Sequence, residues 1–283
     1  MKYPCIRFHL NNEARGRFSE ESVRFICAEM ALALDYLRSK NIIHRDVKPD
    51  NILLDDQGHA HLTDFNVATA YDGQFPALRT LAGTKPYMAL EVFKAASSSA
   101  SPGYDFAVDW WSLGVTAYEL KTGQRPYDIG MGTSLTSAIH LLESSSWEEL
   151  KNLQDWSPEF AKFFQSLIQM LPEKRVTSWA ALKKTKLMAN LKYNRLISRQ
   201  LPPPFVPSAE TLNCDPTFEL EEMIVEAKPL HKKKKRLLRQ QSILSNIPLN
   251  TAGSCHSSEV KFQITWPFKI QLSFSFRITC QQQ

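Results

Sequence analysis

The 283-residue chain has few cysteines, and they are scattered: Cys5, Cys27, Cys214, Cys255 and Cys280. No pair has zinc-site spacing, and an odd, dispersed set implies no disulfide framework. That usage fits a reducing compartment. Long apolar runs are missing too: none reaches the roughly 20 residues of a membrane helix. The opening Met1-Lys2-Tyr3-Pro4-Cys5 has neither the pattern of a signal peptide nor a Met-Gly acylation start. Strong charge of one sign is absent from the body. From Lys228 onward ten Lys/Arg face Glu259 alone, a net +9, which leaves −4 on the other 227 residues. Composition therefore does not point to a nucleic-acid-binding body, and no nucleic acid partner is expected. The histidines lack zinc spacing as well. His59 and His61 share a strand face without a third ligand and read as hairpin surface residues.

Hydrophobic residues make up 43% and charged residues 22%, ordinary for a globular fold and too apolar for wholesale disorder. Residues 19–40 read as an amphipathic helix. Ser19 can cap it, and Glu20 and Glu21 suit its positive end. Val23, Ile26, Cys27, Met30, Leu34 and Leu37 recur at helical spacing. Ile52-Leu53-Leu54, the turn Asp55-Asp56-Gln57-Gly58 and an alternating stretch to Thr63 form a small hairpin. After the Ser-rich loop at 97–103, a second helix spans about 108–120 and ends near Gly123. Further helices are expected near 133–143, 158–170 and 177–188. Leu201-Pro202-Pro203-Pro204-Phe205-Val206-Pro207 reads as an extended linker. In the last forty residues, every second position from Val260 to Ile278 is apolar. That is a strand pattern, too long for one ordinary strand, with no turn signal and with Pro267 on its polar face. It is expected to be a divergent tail without a role of its own rather than a docking strand.

The chemistry concentrates in His44-Arg45-Asp46-Val47-Lys48-Pro49-Asp50-Asn51, followed by Asp64-Phe65-Asn66. A loop supplies a carboxylate, a cation two residues on and an amide five residues on. The hairpin then returns a second carboxylate. Phosphoryl transfer uses this set: a group to orient a hydroxyl, a cation on the moving phosphate, and oxygens for magnesium.

This stretch resembles the catalytic loop of eukaryotic protein kinases, and Asp64-Phe65-Asn66 resembles their Asp-Phe-Gly motif. The resemblance implies that Asp46 is the catalytic base and that Lys48 contacts the transferred phosphate. Asn51 and Asp64 would hold magnesium, and Asp50, Asn51, Leu53 and Asp64 would line the ATP site. Leu53 would lie under the adenine, and His44 would stack on Phe65. Lys48 two residues after Asp46 is the serine/threonine form. Thr80-Leu81-Ala82-Gly83-Thr84-Lys85-Pro86-Tyr87 looks like the end of an activation segment. Thr80 matches a phosphorylation position of AGC kinases, whose phosphate would pair with Arg45. Thr84 would bond both Asp46 and Lys48. Glu91 would pair with Arg175 in a buried salt bridge, Leu90 replaces the proline of Ala-Pro-Glu, and Asp109 would cap the catalytic-loop backbone. Asn66 would carry the positive φ that Gly has in the family. The proline linker, residues 213–223 and the run Pro229 to Leu237 are similar to the AGC-type tail of the YANK branch.

The resemblance covers about residues 8–238. It implies a mainly α (α+β) fold, a kinase C-lobe with a small catalytic β-hairpin. The domains would be 1–198 (C-lobe), 199–241 (AGC-like tail with the basic run) and 242–283 (divergent tail). No Gly-rich phosphate loop and no Val-Ala-Ile-Lys strand precede His44, so the N-lobe is expected to be missing. The surface around Leu53, His44 and Phe65 would then be an exposed apolar patch. The implied activity is transfer of the ATP γ-phosphate to Ser or Thr of proteins, with Mg, and with weak nucleotide binding by this chain alone. The alternative is an inactive C-lobe that serves as a binding module. An upstream activating kinase is an implied partner. The basic run 232–236 reads first as solvated, with nuclear import and weak acidic-membrane contact behind it. The location expected is cytoplasmic or nuclear.

Overall fold

The computed structural model describes residues 18–207, except 72, 74–76, 147–149 and 151–154, together with the backbone of Ile6–Arg7, Glu259–Thr265 and Gln271–Arg277. The chain divides into two units, Met1–Ala209 and Glu210–Gln283.

Helices dominate the first unit. α1 (Glu20–Ser39) starts where Ser19 Oγ accepts from Ser22 N at 3.1 Å. Its apolar stripe, from Val23 to Leu37, is buried. α2 (Leu90–Ser97) follows the activation segment and begins at Ala89 without a side-chain cap. α3 (Ala107–Thr122) is apolar around nearly its whole circumference, as a central helix must be. α4 (Leu135–Ser144) and α5 (Pro158–Leu167) are capped by Ser134 and Ser157. The helix expected over 177–188 is two short ones, α6 (Trp179–Leu182) and α7 (Lys186–Ala189). Thr185 breaks it: its backbone is extended (ψ 143°) and its hydroxyl bonds Leu182 O at 2.7 Å. α8 (Tyr193–Ile197) follows.

The core gathers on α3. Trp110, Trp111 and Tyr118 are fully buried with Phe160, Phe163 and Phe164 of α5. Trp156 meets Phe160 and Phe164 edge-on at 5.0 and 5.2 Å, a favourable aromatic geometry. Two carboxylates tie α1 to the later helices. Glu20 accepts from Ser157 N at 2.8 Å and Ser157 Oγ at 2.6 Å, and Asp35 accepts from Trp179 N at 3.0 Å.

The strands are short and lie beside α1. β1 (Ile6–Arg7), β3 (Ile52–Leu54) and β4 (Ala60–Leu62) form an antiparallel sheet in the order β1-β3-β4. β2 (Ile42–Ile43) pairs antiparallel with β5 (Thr69–Ala70) and so brackets the catalytic loop. At the β3–β4 turn Asp55 Oδ1 accepts from Gln57 N and His59 N at 3.0 and 2.9 Å. His59 corrects the surface reading: it is buried, with Nδ1–H donating to Glu29 at 2.7 Å. A polar ring is buried at little cost when a carboxylate accepts its hydrogen bond. His61 donates from Nε2 to Asp55 Oδ2 at 3.0 Å, and Arg199 reaches the same oxygen at 3.2 Å. Burial pushes the Asp55 carboxyl up, but the hydrogen bonds from His61 and His59 N–H and the Arg199 charge outweigh it and hold it below the usual range. The proline linker runs back over this turn, with Phe205 edge-on to Phe18 at 5.0 Å.

In the second unit the alternating tail is not one strand. β6 (Glu259–Thr265) and β7 (Gln271–Arg277) pair antiparallel, with Val260, Phe262 and Ile264 opposite Phe276, Phe274 and Leu272. Between the two strands the sequence holds Pro267, which cannot donate to a ladder; residues 266–270 lie outside the described residues. The basic run 232–236, the tail motifs at 213–238 and every cysteine except Cys27 lie outside the described residues. Cys27 is a buried free thiol whose pKa burial pushes up. No helix among the described residues is long and apolar enough to cross a membrane.

Candidate active site

The loop between β2 and β3 is held from beneath by α3. Asp109 is buried, and its carboxylate accepts from His44 N and Arg45 N, each at 2.8 Å. Burial pushes the Asp109 carboxyl up to about 6, against the pull of those two amides and the Arg45 charge. Arg45 sits at φ +67°, a left-handed position that those contacts over-determine. Its Nε donates to Val67 O at 2.6 Å, fastening the loop to the turn between Asp64 and β5.

His44 is wholly buried and neutral. Nε2–H donates to Thr63 O at 2.9 Å, which leaves Nδ1 to accept from Asp46 N at 3.3 Å. Burial lowers its pKa to about 4. The ring meets Phe65 edge-on at 4.7 Å. Both rings are buried, so the exposed patch expected around them does not form; Leu53 is half-buried. The rings cover each other, and β3 and β4 lie alongside.

Asp46 is the centre of the polar cluster. Asn51 Nδ2 donates to Asp46 O at 2.8 Å and to Asp46 Oδ2 at 3.0 Å. Lys48 Nζ lies 3.2 Å from Asp46 Oδ2 and donates to Thr84 Oγ1 at 2.8 Å. Thr84 accepts from Lys48, and among the described residues no bond joins it to Asp46. Asp46 Oδ1 is buried without a hydrogen-bond partner. A bare carboxylate oxygen in such a place costs free energy, and a donor arriving there would recover it. The backbone packs so closely that Gly83, at φ +108°, has no room for a side chain. A Cβ there would lie 2.1 Å from Arg45 O.

Asp64 is exposed at the end of the hairpin and takes φ +58°, and its Oδ1 accepts from Asn66 N at 3.3 Å. The left-handed residue is thus Asp64, not Asn66. An aspartate side chain bonding two residues on stabilises that turn locally, so no glycine is needed at 66. Asp50 is half-buried in the short 3₁₀ turn Pro49–Asn51. Asn51 spends its amide nitrogen on Asp46, which leaves its side-chain oxygen for a metal.

Farther out, Arg175 Nη1 and Nη2 donate to the two Glu91 oxygens at 2.6 and 3.2 Å, and further bonds go to Ala107 O and Gln169 O. The guanidinium also lies 5.2 Å from the Trp111 ring centre. Thr80 is exposed. Tyr104, which no sequence signal singles out, is buried and donates from its hydroxyl to Thr80 O at 2.7 Å. Tyr87 OH donates to Glu119 at 2.5 Å; burial, then the Glu119 charge, pushes the phenol up. Among the described residues no cluster of three His, Cys, Asp or Glu could hold a metal by itself.

The protein kinase domain family matches residues 5–187. The chain is 50% identical over 238 residues to serine/threonine-protein kinase 32C of Mus musculus, which covers 84% of this chain and 47% of that protein. It is 46% identical to serine/threonine-protein kinase 32B of Homo sapiens, covering 84% of this chain and 56% of the relative. Similarity to ribosomal protein S6 kinase alpha-3 of Homo sapiens is 34%, over 71% of this chain and 27% of that one. The chain thus spans about half the length of the curated kinases 32 that it matches. On the domain match and these relatives, the chain belongs to the protein kinase family, in the branch of the serine/threonine-protein kinases 32.

Proposed function

We propose that the chain carries the catalytic half of a serine/threonine protein kinase that moves the ATP γ-phosphate to protein hydroxyls. The observation that carries this reading is the buried, unpartnered Oδ1 of Asp46, in a cluster that already holds its other oxygen. A Ser or Thr hydroxyl donating to Oδ1 satisfies that oxygen and points the nucleophile. As the hydroxyl oxygen attacks the γ-phosphorus, the bond from that phosphorus to the bridging oxygen breaks, ADP leaves with the bond's electron pair, and the hydroxyl proton passes to Asp46. Lys48, fixed by Asp46 and Thr84, supplies a cation beside the moving phosphate.

The donor set fits magnesium. Hard oxygens suit it, and it takes one or two protein ligands beside substrate phosphates rather than a full protein cage. Asn51 and Asp64 would hold it, and when bound it would neutralise phosphate charge. Leu53 and Asp50 would line the nucleotide side.

Residues 1–43 contain one glycine, Gly16, and no Val-Ala-Ile-Lys strand. Neither of the family's phosphate-clamping motifs is therefore recognised ahead of His44. The second reading, an inactive C-lobe that binds partners, rests on that same lack. The remaining proposals are protein substrates with Ser or Thr, an upstream kinase acting on Thr80, a cytoplasmic location with nuclear import, and weak contact of residues 232–236 with acidic lipid. The five consecutive cations there support the last two.

The test is transfer from labelled ATP by the purified chain to a basic peptide, beside Asp46→Asn. Transfer by the parent alone supports the enzyme. Equal counts from both sink Asp46 as the base. No transfer from either favours the binding module.

A further inference from the structure

Tyr104 has no role in the site just described, yet it contacts both the activation segment and the loop that carries Arg45. Its N–H donates to Leu78 O at 3.0 Å, forming an isolated antiparallel bridge between 78 and 104. Its hydroxyl donates to Thr80 O at 2.7 Å. Arg45 Nη1 approaches the same phenol oxygen at 3.4 Å, a long contact. The ring is buried, and a water-sized void of about 10 Å³ lies between it, Arg45, Ala82 and Ser112. The approach is tight at the backbone as well: a Cβ on Gly103 would fall 2.6 Å from Ala77 Cβ and 2.9 Å from Leu78 O.

We infer that Tyr104 is a positioning residue whose hydroxyl joins the Thr80 carbonyl to Arg45 and so holds the activation segment in place without a phosphate. The tether grips the main chain at Leu78 and Thr80, leaving the Thr80 side chain exposed. Order in this segment is therefore independent of the Thr80 hydroxyl. The long Arg45 contact is the weakest link, and it is the one a phosphate on Thr80 would take over. The consequence for catalysis rests on the kinase reading above; the tether itself does not.

The decisive experiment is amide hydrogen exchange of the full chain, comparing the parent with Tyr104→Phe and Thr80→Ala. Phe keeps the buried ring and removes only the hydroxyl. Losing one buried hydrogen bond accelerates exchange of amides 78–84 about three- to tenfold in Tyr104→Phe. Thr80→Ala leaves them within about twofold. The proposal is overturned by unchanged exchange of 78–84 in Tyr104→Phe. Equal acceleration in Thr80→Ala also overturns it, because the side chain would then be the anchor. So does acceleration spread evenly over α2 and α3, because the hydroxyl would then be a general fold contact. In the transfer assay, Tyr104→Phe lowers kcat about tenfold at unchanged KM for ATP; equal kcat removes the catalytic consequence. If the parent transfers nothing, the kinase reading has failed and the exchange result still decides the tether.

Discussion

Replacing Arg175 with Met tests how the activation segment is anchored to the helical core. The Arg175 side chain is 0% exposed, and its partner Glu91 is 12% exposed at the start of α2. Met preserves bulk but removes two bonds to Glu91 and those to Ala107 O and Gln169 O. The Glu91 carboxylate is then left poorly solvated and unpaired. Breaking a buried pair from one side costs about 3–5 kcal/mol. With a urea slope of roughly 2 kcal/mol/M, the unfolding midpoint falls by about 2 M. Adding Glu91→Leu removes the stranded charge, so the double variant recovers about half of that loss. It does not recover all of it, since two carbonyls still lack their donor. Urea unfolding followed by circular dichroism reads all three. A single-variant loss under about 1 kcal/mol, or a double variant no more stable than Arg175→Met, would refute the reasoning.

Gly83→Ala is expected to lower phosphate transfer at least about a hundredfold, because its Cβ meets Arg45 O at 2.1 Å and its φ is +108°; wild-type kcat would show that the loop relaxes freely. The His44 pKa is about 4 in the fold and 6.5 in its absence, so the unfolded chain binds the extra proton between those values. Stability from His44 is thus present above pH 6.5 and lost as pH falls toward 4. The stability gap between the parent and His44→Phe should widen by about 3 kcal/mol from pH 4 to 7, read by urea midpoints at each pH; a flat gap contradicts a buried neutral ring. Gly58→Ala places a Cβ 2.2 Å from Phe205 O. It should release the proline linker and quicken proteolysis at 201–207, and an unchanged cleavage rate would refute that contact.

The catalytic loop was legible because its chemistry is contiguous. Asp46, Lys48 and Asn51 lie within one short stretch, and the β3–β4 hairpin carries its own turn signal. α1 and α3 announced themselves by stripe and by apolar density, and Ser19 by capping chemistry. Elsewhere the sequence pattern and the structure diverge. Asn66 was a sensible place for positive φ, but the Asx turn moved that strain to Asp64. His59 reads as a surface residue because nothing near it in sequence announces Glu29, thirty residues away. The apolar tail showed its alternation but not its reversal, since strand pairing at 260–276 depends on register rather than on a turn motif.

Composition and spacing alone establish which groups are present, their likeness to a phosphoryl-transfer loop, and a helical body free of long apolar spans. Folding alone places them. It leaves Asp46 Oδ1 bare while occupying Oδ2, buries His44 and Phe65 against each other, and brings Tyr104 to Arg45 across 59 residues. The physical reason is that periodicity and capping act over a few residues. Desolvation and hydrogen-bond satisfaction, by contrast, depend on which distant segments pack together, and no local pattern carries that information.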